Sequence, residues 1–180
     1  MKTLSYFLMV ATFASVTFSS CKKDSTPAPT PTPAEVATSM KLTSNGTALS
    51  FNQCQQFTVS ANGLVQTEFI AKNFTNGKLS DDEFEVDIIH DPATLKAGQT
   101  YPAASSYAQK ETADITYYPN DTDIFTTQIG NPQATVTITE VTATTISGTF
   151  SGKLFAWDDT AGNTVVYTIT NGSFTAKIDK

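Results

Sequence analysis

Few side chains in this sequence have the types and spacing that catalysis requires. His90 is the one histidine among 180 residues, so a Ser-His-Asp hydrolase would have to use it as the general base. Asp91 follows it directly and cannot normally orient the ring from there, while Asp91-Pro92 predicts a turn. We therefore expect His90 to be a surface residue at a strand end. Zinc needs three or four protein ligands. Apart from Cys21, the only histidine and cysteine in the sequence are His90 and Cys54, so we expect no zinc site.

Carboxylates alternate with apolar residues between positions 83 and 88. The two kinds of side chain should occupy opposite faces of one strand, in the order Glu83, Phe84, Glu85, Val86, Asp87, Ile88. We interpret the acidic face as a solvated outer face, where like charges also discourage edge-to-edge aggregation. A calcium site is the alternative, both here and in the oxygen-rich loop 120–123, although neither spacing matches an EF-hand loop.

A carboxylate-dependent glycoside hydrolase is a further alternative. Such enzymes place two carboxyl groups about 5 Å or roughly 6.5–9.5 Å apart across a sugar. The chain carries 17 acidic residues, and their spacing in the sequence identifies no pair. We therefore predict no catalytic residue and no cofactor.

Aromatic residues are the better candidates for ligand contact. Exposed rings can stack on sugars or contact a protein partner, because Tyr and Trp combine an apolar face with a polar group. Trp157 stands at the mouth of a loop over 158–163, and Tyr118 precedes a proline. We predict that Tyr118 and Trp157 are exposed candidate contacts, and that most other aromatic residues of the irregular segment 91–132 pack in the core or at strand rims.

Cys21 is placed where a bacterial lipoprotein carries its lipid. Lys2 and the apolar residues 4–18 predict a cleaved signal peptide over 1–20, because about 15 residues are too few to span a bilayer that needs roughly 20. Ser19-Ser20 fits the processing motif, whereas Phe18 stands where an aliphatic residue is usual. We expect an acylated Cys21 to anchor the protein to the outer membrane, facing the periplasm or the cell exterior. An ordinary secretory signal is the alternative.

The composition of the chain after Cys21 indicates its domain organisation and excludes some classes of partner. Residues 25–36 alternate proline with threonine and alanine, which predicts an extended, disordered linker over 21–36, and residues 37–180 are left for a single domain. The chain contains no arginine and has a formal net charge of −6, so nucleic acid is a poor partner. Cys54 has no thiol to pair with once Cys21 is acylated, and we predict a small buried or half-buried residue.

The domain itself predicts an all-β fold. Ala134, Val136 and Ile138 alternate with threonines, and similar alternation continues to residue 178. Asn-Gly pairs at 45–46, 62–63, 76–77 and 171–172 predict tight hairpin turns. We predict an antiparallel β-sandwich of about eight strands, ending in a three-stranded meander, with a lipocalin-like β-barrel as the alternative.

Three segments carry a family resemblance: 135–139 (VTIT with its flanking threonine), 146–151 (ISGTFS) and 169–174 (ITNGSF). Together with Gly98 to Tyr101, they resemble a group of Bacteroidota lipoproteins of unknown function. The resemblance implies an exported, anchored β domain and carries no catalytic assignment. Ser25 and Thr160, each after an aspartate, also resemble the O-glycosylation acceptors of that phylum.

These observations lead to one expectation about function and two alternatives. We expect a lipid-anchored envelope lipoprotein that binds a glycan or a protein partner without enzymatic activity. A structural or assembly component of the outer membrane is the first alternative. The glycoside hydrolase described above is the second.

Overall fold

The computed structural model describes residues 37–61, 63–91, 95–104, 109–129, 132–159, 161 and 164–178. Within these residues the chain forms thirteen strands and no helix, and therefore no helix long and apolar enough to cross a membrane. The strands are β1 Ser39–Ser44, β2 Thr47–Phe51, β3 Gln53–Ala61, β4 Leu64–Lys72, β5 Phe74–Thr75, β6 Lys78–Leu79, β7 Glu83–His90, β8 Thr100–Pro102, β9 Thr112–Tyr118, β10 Phe125–Thr126, β11 Ala134–Val141, β12 Thr145–Ala156 and β13 Val165–Ile178.

Eleven of these strands belong to one mostly antiparallel sheet, in the order β2-β1-β13-β3-β4-β7-β9-β10-β12-β11-β8. The sheet closes on itself because β12 also pairs with β13, from Thr145 opposite Lys177 to Phe155 opposite Val165. The one parallel step of the resulting ring is short and joins Lys177 and Ile178 of β13 to β3. The all-β, mostly antiparallel prediction is confirmed.

The strands of this sheet form a closed ring, which has the connectivity of the predicted barrel alternative. The physical reason is the length of β12 and β13, which have 12 and 14 residues. β13 is long enough to pair with β12 along one edge and with both β1 and β3 along the other. Sequence alternation cannot reveal such shared pairing, because it reports which face a residue occupies and not which strand lies beside it.

The core fills the interior of the ring with alternate residues from its strands. Phe69 of β4 lies opposite Val86 of β7 and packs its ring 4.4 Å, between centroids, from that of Phe174 on β13. All three side chains are buried, and burial of each contributes about 1.5–3 kcal/mol of hydrophobic stabilisation. The predicted inward faces of β11 and β12 are confirmed by the burial of Val136, Ile138, Ile146, Phe150 and Leu154.

Cys54 lies in this core and is fully buried, as predicted. Burial raises the pKa of its thiol to about 12, so the thiol stays protonated and unreactive at neutral pH.

Two of the Asn-Gly predictions are confirmed and one is wrong. Gly46 and Gly77 take positive φ angles in the turns between β1 and β2 and between β5 and β6. Asn171-Gly172 is instead a bulge within β13, where Asn171 has φ 51° and the pairing with β12 shifts register. The bulge lets the Phe150 ring lie against the Gly172 backbone, where a β-carbon would stand 2.5 Å from the ring. In the remaining pair, Asn62 lies outside the described residues.

Candidate functional site

The predicted site residues fall into two groups. Cys21, Ser25 and Thr160 lie outside the described residues, as do the predicted signal peptide 1–20 and linker 21–36. Trp157 and Tyr118 are described, and they lie in different surroundings. Trp157 is 57% exposed, whereas Tyr118 is half-buried.

Trp157 stands on a tight turn that ends β12. Its backbone N–H donates to the carbonyl oxygen of Ile124 at 3.0 Å, and Asp159 N–H donates to the Ala156 carbonyl oxygen at 2.9 Å. Because the ring is large and apolar and yet points into solvent, its position is set by this backbone pairing and not by burial of the indole. The fold therefore presents an aromatic surface on a fixed backbone.

The loop before β10 is ordered by Asn120. Its Oδ1 accepts hydrogen bonds from Thr122 N–H at 2.9 Å, Thr122 Oγ1–H at 2.7 Å and Asp123 N–H at 3.0 Å. Its Nδ2 donates to Asp123 Oδ2 at 2.9 Å. This Asx-type turn holds the Asp123 carboxylate in one orientation.

A cavity of about 240 Å³ lies between the turn and the loop. We call it the Trp157 pocket; its lining residues are Thr122, Asp123, Ile124, Phe125, Ala156, Trp157 and Asp158. It therefore combines one exposed aromatic ring with two exposed carboxylates and a hydroxyl. Tyr118 is not among the lining residues, so the two predicted aromatic residues do not form one site.

The acidic face of β7 is not the solvated surface that the sequence predicted. Asp87 is 3% exposed and lies directly between Glu68 of β4 and Asp114 of β9, and Asp114 is 2% exposed. Three threonine hydroxyls donate to Asp114, from Thr116 at 3.0 Å, Thr126 at 3.0 Å and Thr127 at 2.6 Å. The sequence of β7 alone could not show this, because three different strands bring Glu68, Asp87 and Asp114 to the same register.

Burial and neighbouring acidic groups raise the pKa values of the acidic residues on this face of β7. Burial, and then the negative charge of Asp114, raise the pKa of Asp87 well above its ordinary range. Burial, and then the hydrogen bond with Glu83, raise the pKa of Glu85 to about 8. Burial, and then the charge of Glu85, raise the pKa of Tyr118, which shares a hydrogen bond with Glu85. Within the described residues, Asp87 Oδ1 has no hydrogen-bond partner.

Two adjacent carboxyl groups are an arrangement that acid–base catalysts use, but Asp87 and Asp114 line neither the Trp157 pocket nor the cavity described below. The described residues contain no group of three or more His, Cys, Asp or Glu side chains placed to hold a metal ion.

His90 also differs from the prediction. It is 6% exposed and occupies the inner face of β7, on the same side as Val86 and Ile88. Its Nδ1 lies 2.7 Å from the Asp91 carbonyl oxygen and, since a carbonyl only accepts, donates to it. Its Nε2 lies 3.0 Å from the Thr67 hydroxyl. The strand-end position was predicted correctly, and the surface location was wrong.

Comparisons with protein-family models, curated proteins and solved structures find no match. The resemblance to Bacteroidota lipoproteins therefore stays a prediction.

Proposed function

We propose that this chain is a lipid-anchored lipoprotein of the cell envelope whose β domain binds a glycan, without turnover, at the Trp157 pocket. The observation that carries the proposal is the exposed indole of Trp157 beside the carboxylates of Asp123 and Asp158. The anchor is the acylated Cys21, and residues 21–36 are the spacer between membrane and domain.

The chemistry of the pocket suits a sugar. The apolar face of a pyranose packs on an aromatic ring, and its hydroxyl groups donate to carboxylates at the edge of that ring. Asn120 holds Asp123 in place, so little side-chain freedom is lost on binding. The volume of about 240 Å³ lies below the usual range of roughly 300–1,000 Å³ for small-molecule sites and matches recognition of one or two sugar rings of a longer chain.

Charge narrows the class of glycan. The formal net charge is −6, and the pocket itself contributes Asp123 and Asp158. Uronic acids and sulfated sugars would be repelled, because like charges at a binding surface oppose association. We therefore propose neutral or amino sugars as the ligand.

The test is a glycan array probed with the mature protein in detergent, followed by titration calorimetry with the best ligand. The Trp157→Ala variant should weaken binding by at least about tenfold, since truncated aromatic anchors are typical binding hot spots. Phe74→Ala is the matched control, because Phe74 is 43% exposed and lies outside the pocket. Equal losses in both variants, or no glycan bound by the wild type, would favour the structural or assembly role. Release of new reducing ends would favour the hydrolase.

A further inference from the structure

A second cavity, of about 360 Å³, lies at one open end of the strand ring. Its wall is built from inward-facing residues of the ring strands, since Thr67 shares a face of β4 with the core residue Phe69, and His90 shares a face of β7 with Ile88. Ile146 and Ile178 continue the inner faces of β12 and β13 beyond Phe150 and Phe174. We call this space the end cavity. It shares no residue with the Trp157 pocket.

The end cavity has two chemically different walls. Gln56, Thr67 and His90 form a polar wall on the adjacent strands β3, β4 and β7. Val141, Ile146 and Ile178 form an apolar wall on β11, β12 and β13. Most of the surface that lines the cavity is apolar, with a few polar groups on one side, which is the composition typical of small-molecule sites.

We propose that the end cavity binds a small amphipathic molecule with an apolar body and an uncharged hydrogen-bonding head, such as a hydroxyl, carbonyl or amide. The body packs against Val141, Ile146 and Ile178. The head meets the polar wall, where Thr67 and His90 already lie within hydrogen-bond distance of each other. This site is independent of the glycan proposal and stands or falls on its own test.

The absence of fixed charge in the lining selects an uncharged head. Among the described residues that line the end cavity there is no Asp, Glu or Lys, and His90 is the one titratable side chain. A charged head buried there would lose hydration without gaining an ion-pair partner, which is costly. A hydroxyl or carbonyl needs only the hydrogen bonds that the polar wall can offer.

The rim of the end cavity is already ordered. Thr142 N–H donates to the Thr145 carbonyl oxygen at 2.8 Å, and Thr145 N–H donates to Thr142 Oγ1 at 2.9 Å. Ile178 N–H donates to the Thr144 carbonyl oxygen at 2.9 Å, so the end of β13 is tied to the same turn. On the polar wall, Gln56 Nε2 donates to Thr58 Oγ1. A preformed site loses less conformational entropy on binding than one that must fold around its ligand.

Three eight-carbon probes test the proposal: 1-octanol, octanoate and octylammonium, titrated at pH 7 into the mature protein by calorimetry. The wild type should bind 1-octanol at least about tenfold more tightly than either ion, a difference of about 1.4 kcal/mol. Val141→Trp places a large ring at the mouth and should weaken 1-octanol binding by a similar factor. Val59→Trp is the matched control, because Val59 is 53% exposed and lies outside the cavity, and it should leave binding unchanged.

Methyl NMR of the wild type provides a readout that does not depend on any variant folding. Addition of 1-octanol should shift the methyl signals of Val141, Ile146 and Ile178 and leave that of Val165, an exposed residue of β13, in place. The proposal is overturned if 1-octanol does not bind, if the ions bind equally well, or if the shifted signals lie elsewhere. Preference for octanoate would replace the uncharged head with an anionic one and contradict the inference.

Discussion

Asp87 and Asp114 lie directly opposite each other on β7 and β9, and both carboxyl groups are almost fully removed from solvent. The two are not equivalent. Threonine hydroxyls donate to both oxygens of Asp114, whereas Oδ1 of Asp87 has no hydrogen-bond partner among the described residues. The protein therefore buries an acid whose two oxygens are hydrogen-bonded beside an acid with one oxygen unpartnered among the described residues, and this asymmetry has measurable consequences.

The first consequence is that the free energy of unfolding should fall as pH rises from about 4.5 toward about 8. Glu85 has its pKa raised to about 8 and that of Asp87 is also raised, so the folded chain keeps protons that the unfolded chain releases. Stability falls with pH wherever the folded state binds more protons. The urea midpoint of unfolding should be lower at pH 8 than at pH 5.

Substitution of Asp87 tests whether this residue contributes to the pH dependence of stability. Asp87→Asn removes one of the two groups with a raised pKa and should reduce the pH dependence of the urea midpoint, raising stability at pH 8 more than at pH 5. Asp158→Asn is the control, because Asp158 is exposed, and it should preserve the wild-type slope. A midpoint that rises with pH in the wild type would contradict the prediction.

The hydroxyl cluster around Asp114 gives a second prediction. Thr127 is fully buried, donates to Asp114 at 2.6 Å, and accepts from Ile115 N–H at 3.1 Å. Thr127→Val keeps the shape and removes both bonds, which should cost about 1–3 kcal/mol because the buried Ile115 N–H is left unpaired and Asp114 loses one of its three hydroxyl donors. Urea unfolding measures the loss. Thr149→Val, on an exposed face of β12, should change stability by less than about 0.5 kcal/mol.

The sequence predicted local features of the fold well, because alternation reports which side of a strand is buried. Val136 and Ile138 are buried as expected. The burial of Asp87 could not be predicted from β7 alone, since it depends on Glu68 and Asp114, which different strands bring to the same register. His90 is a different case: it continues the alternation of Val86 and Ile88, so the pattern within β7 was enough to place it on the inner face.

The candidate sites, too, contain one residue that the sequence predicted and others that it could not predict. Trp157 was predicted because its type and its place before a turn suggest exposure, and it lines a pocket. Its neighbour Asp123 could not have been assigned to that pocket, because the loop reaches Trp157 through the backbone bond between Trp157 and Ile124. The end cavity carries no sequence signal at all, since residues from separated strands line it.

A third prediction concerns Gly172 in the β13 bulge. A β-carbon there would stand 2.5 Å from the Phe150 ring, so Gly172→Ala should destabilise the domain by about 1–3 kcal/mol through overpacking. Phe150→Leu in the same chain should recover part of that loss, giving a favourable coupling in a double-mutant cycle. Ser173→Ala, at the next exposed position, is the control and should be close to neutral. Additive effects of the Gly172 and Phe150 substitutions would show that their contact is not the cause.

The fourth prediction separates the Trp157 pocket from its supporting loop. Asn120→Ala removes the oxygen that accepts three hydrogen bonds and the amide that donates to Asp123, so Asp123 should become mobile. Glycan binding should weaken by roughly three- to tenfold, the cost of ordering one or more side chains, while the urea midpoint changes little because Asn120 is exposed. Asn120→Asp keeps the accepting oxygen but replaces the donor to Asp123 with a second carboxylate, so repulsion between the two acids should weaken glycan binding at least as much as Asn120→Ala does. If Asn120→Ala binds glycan as the wild type does while Trp157→Ala does not, recognition rests on the indole alone and Asp123 takes no part.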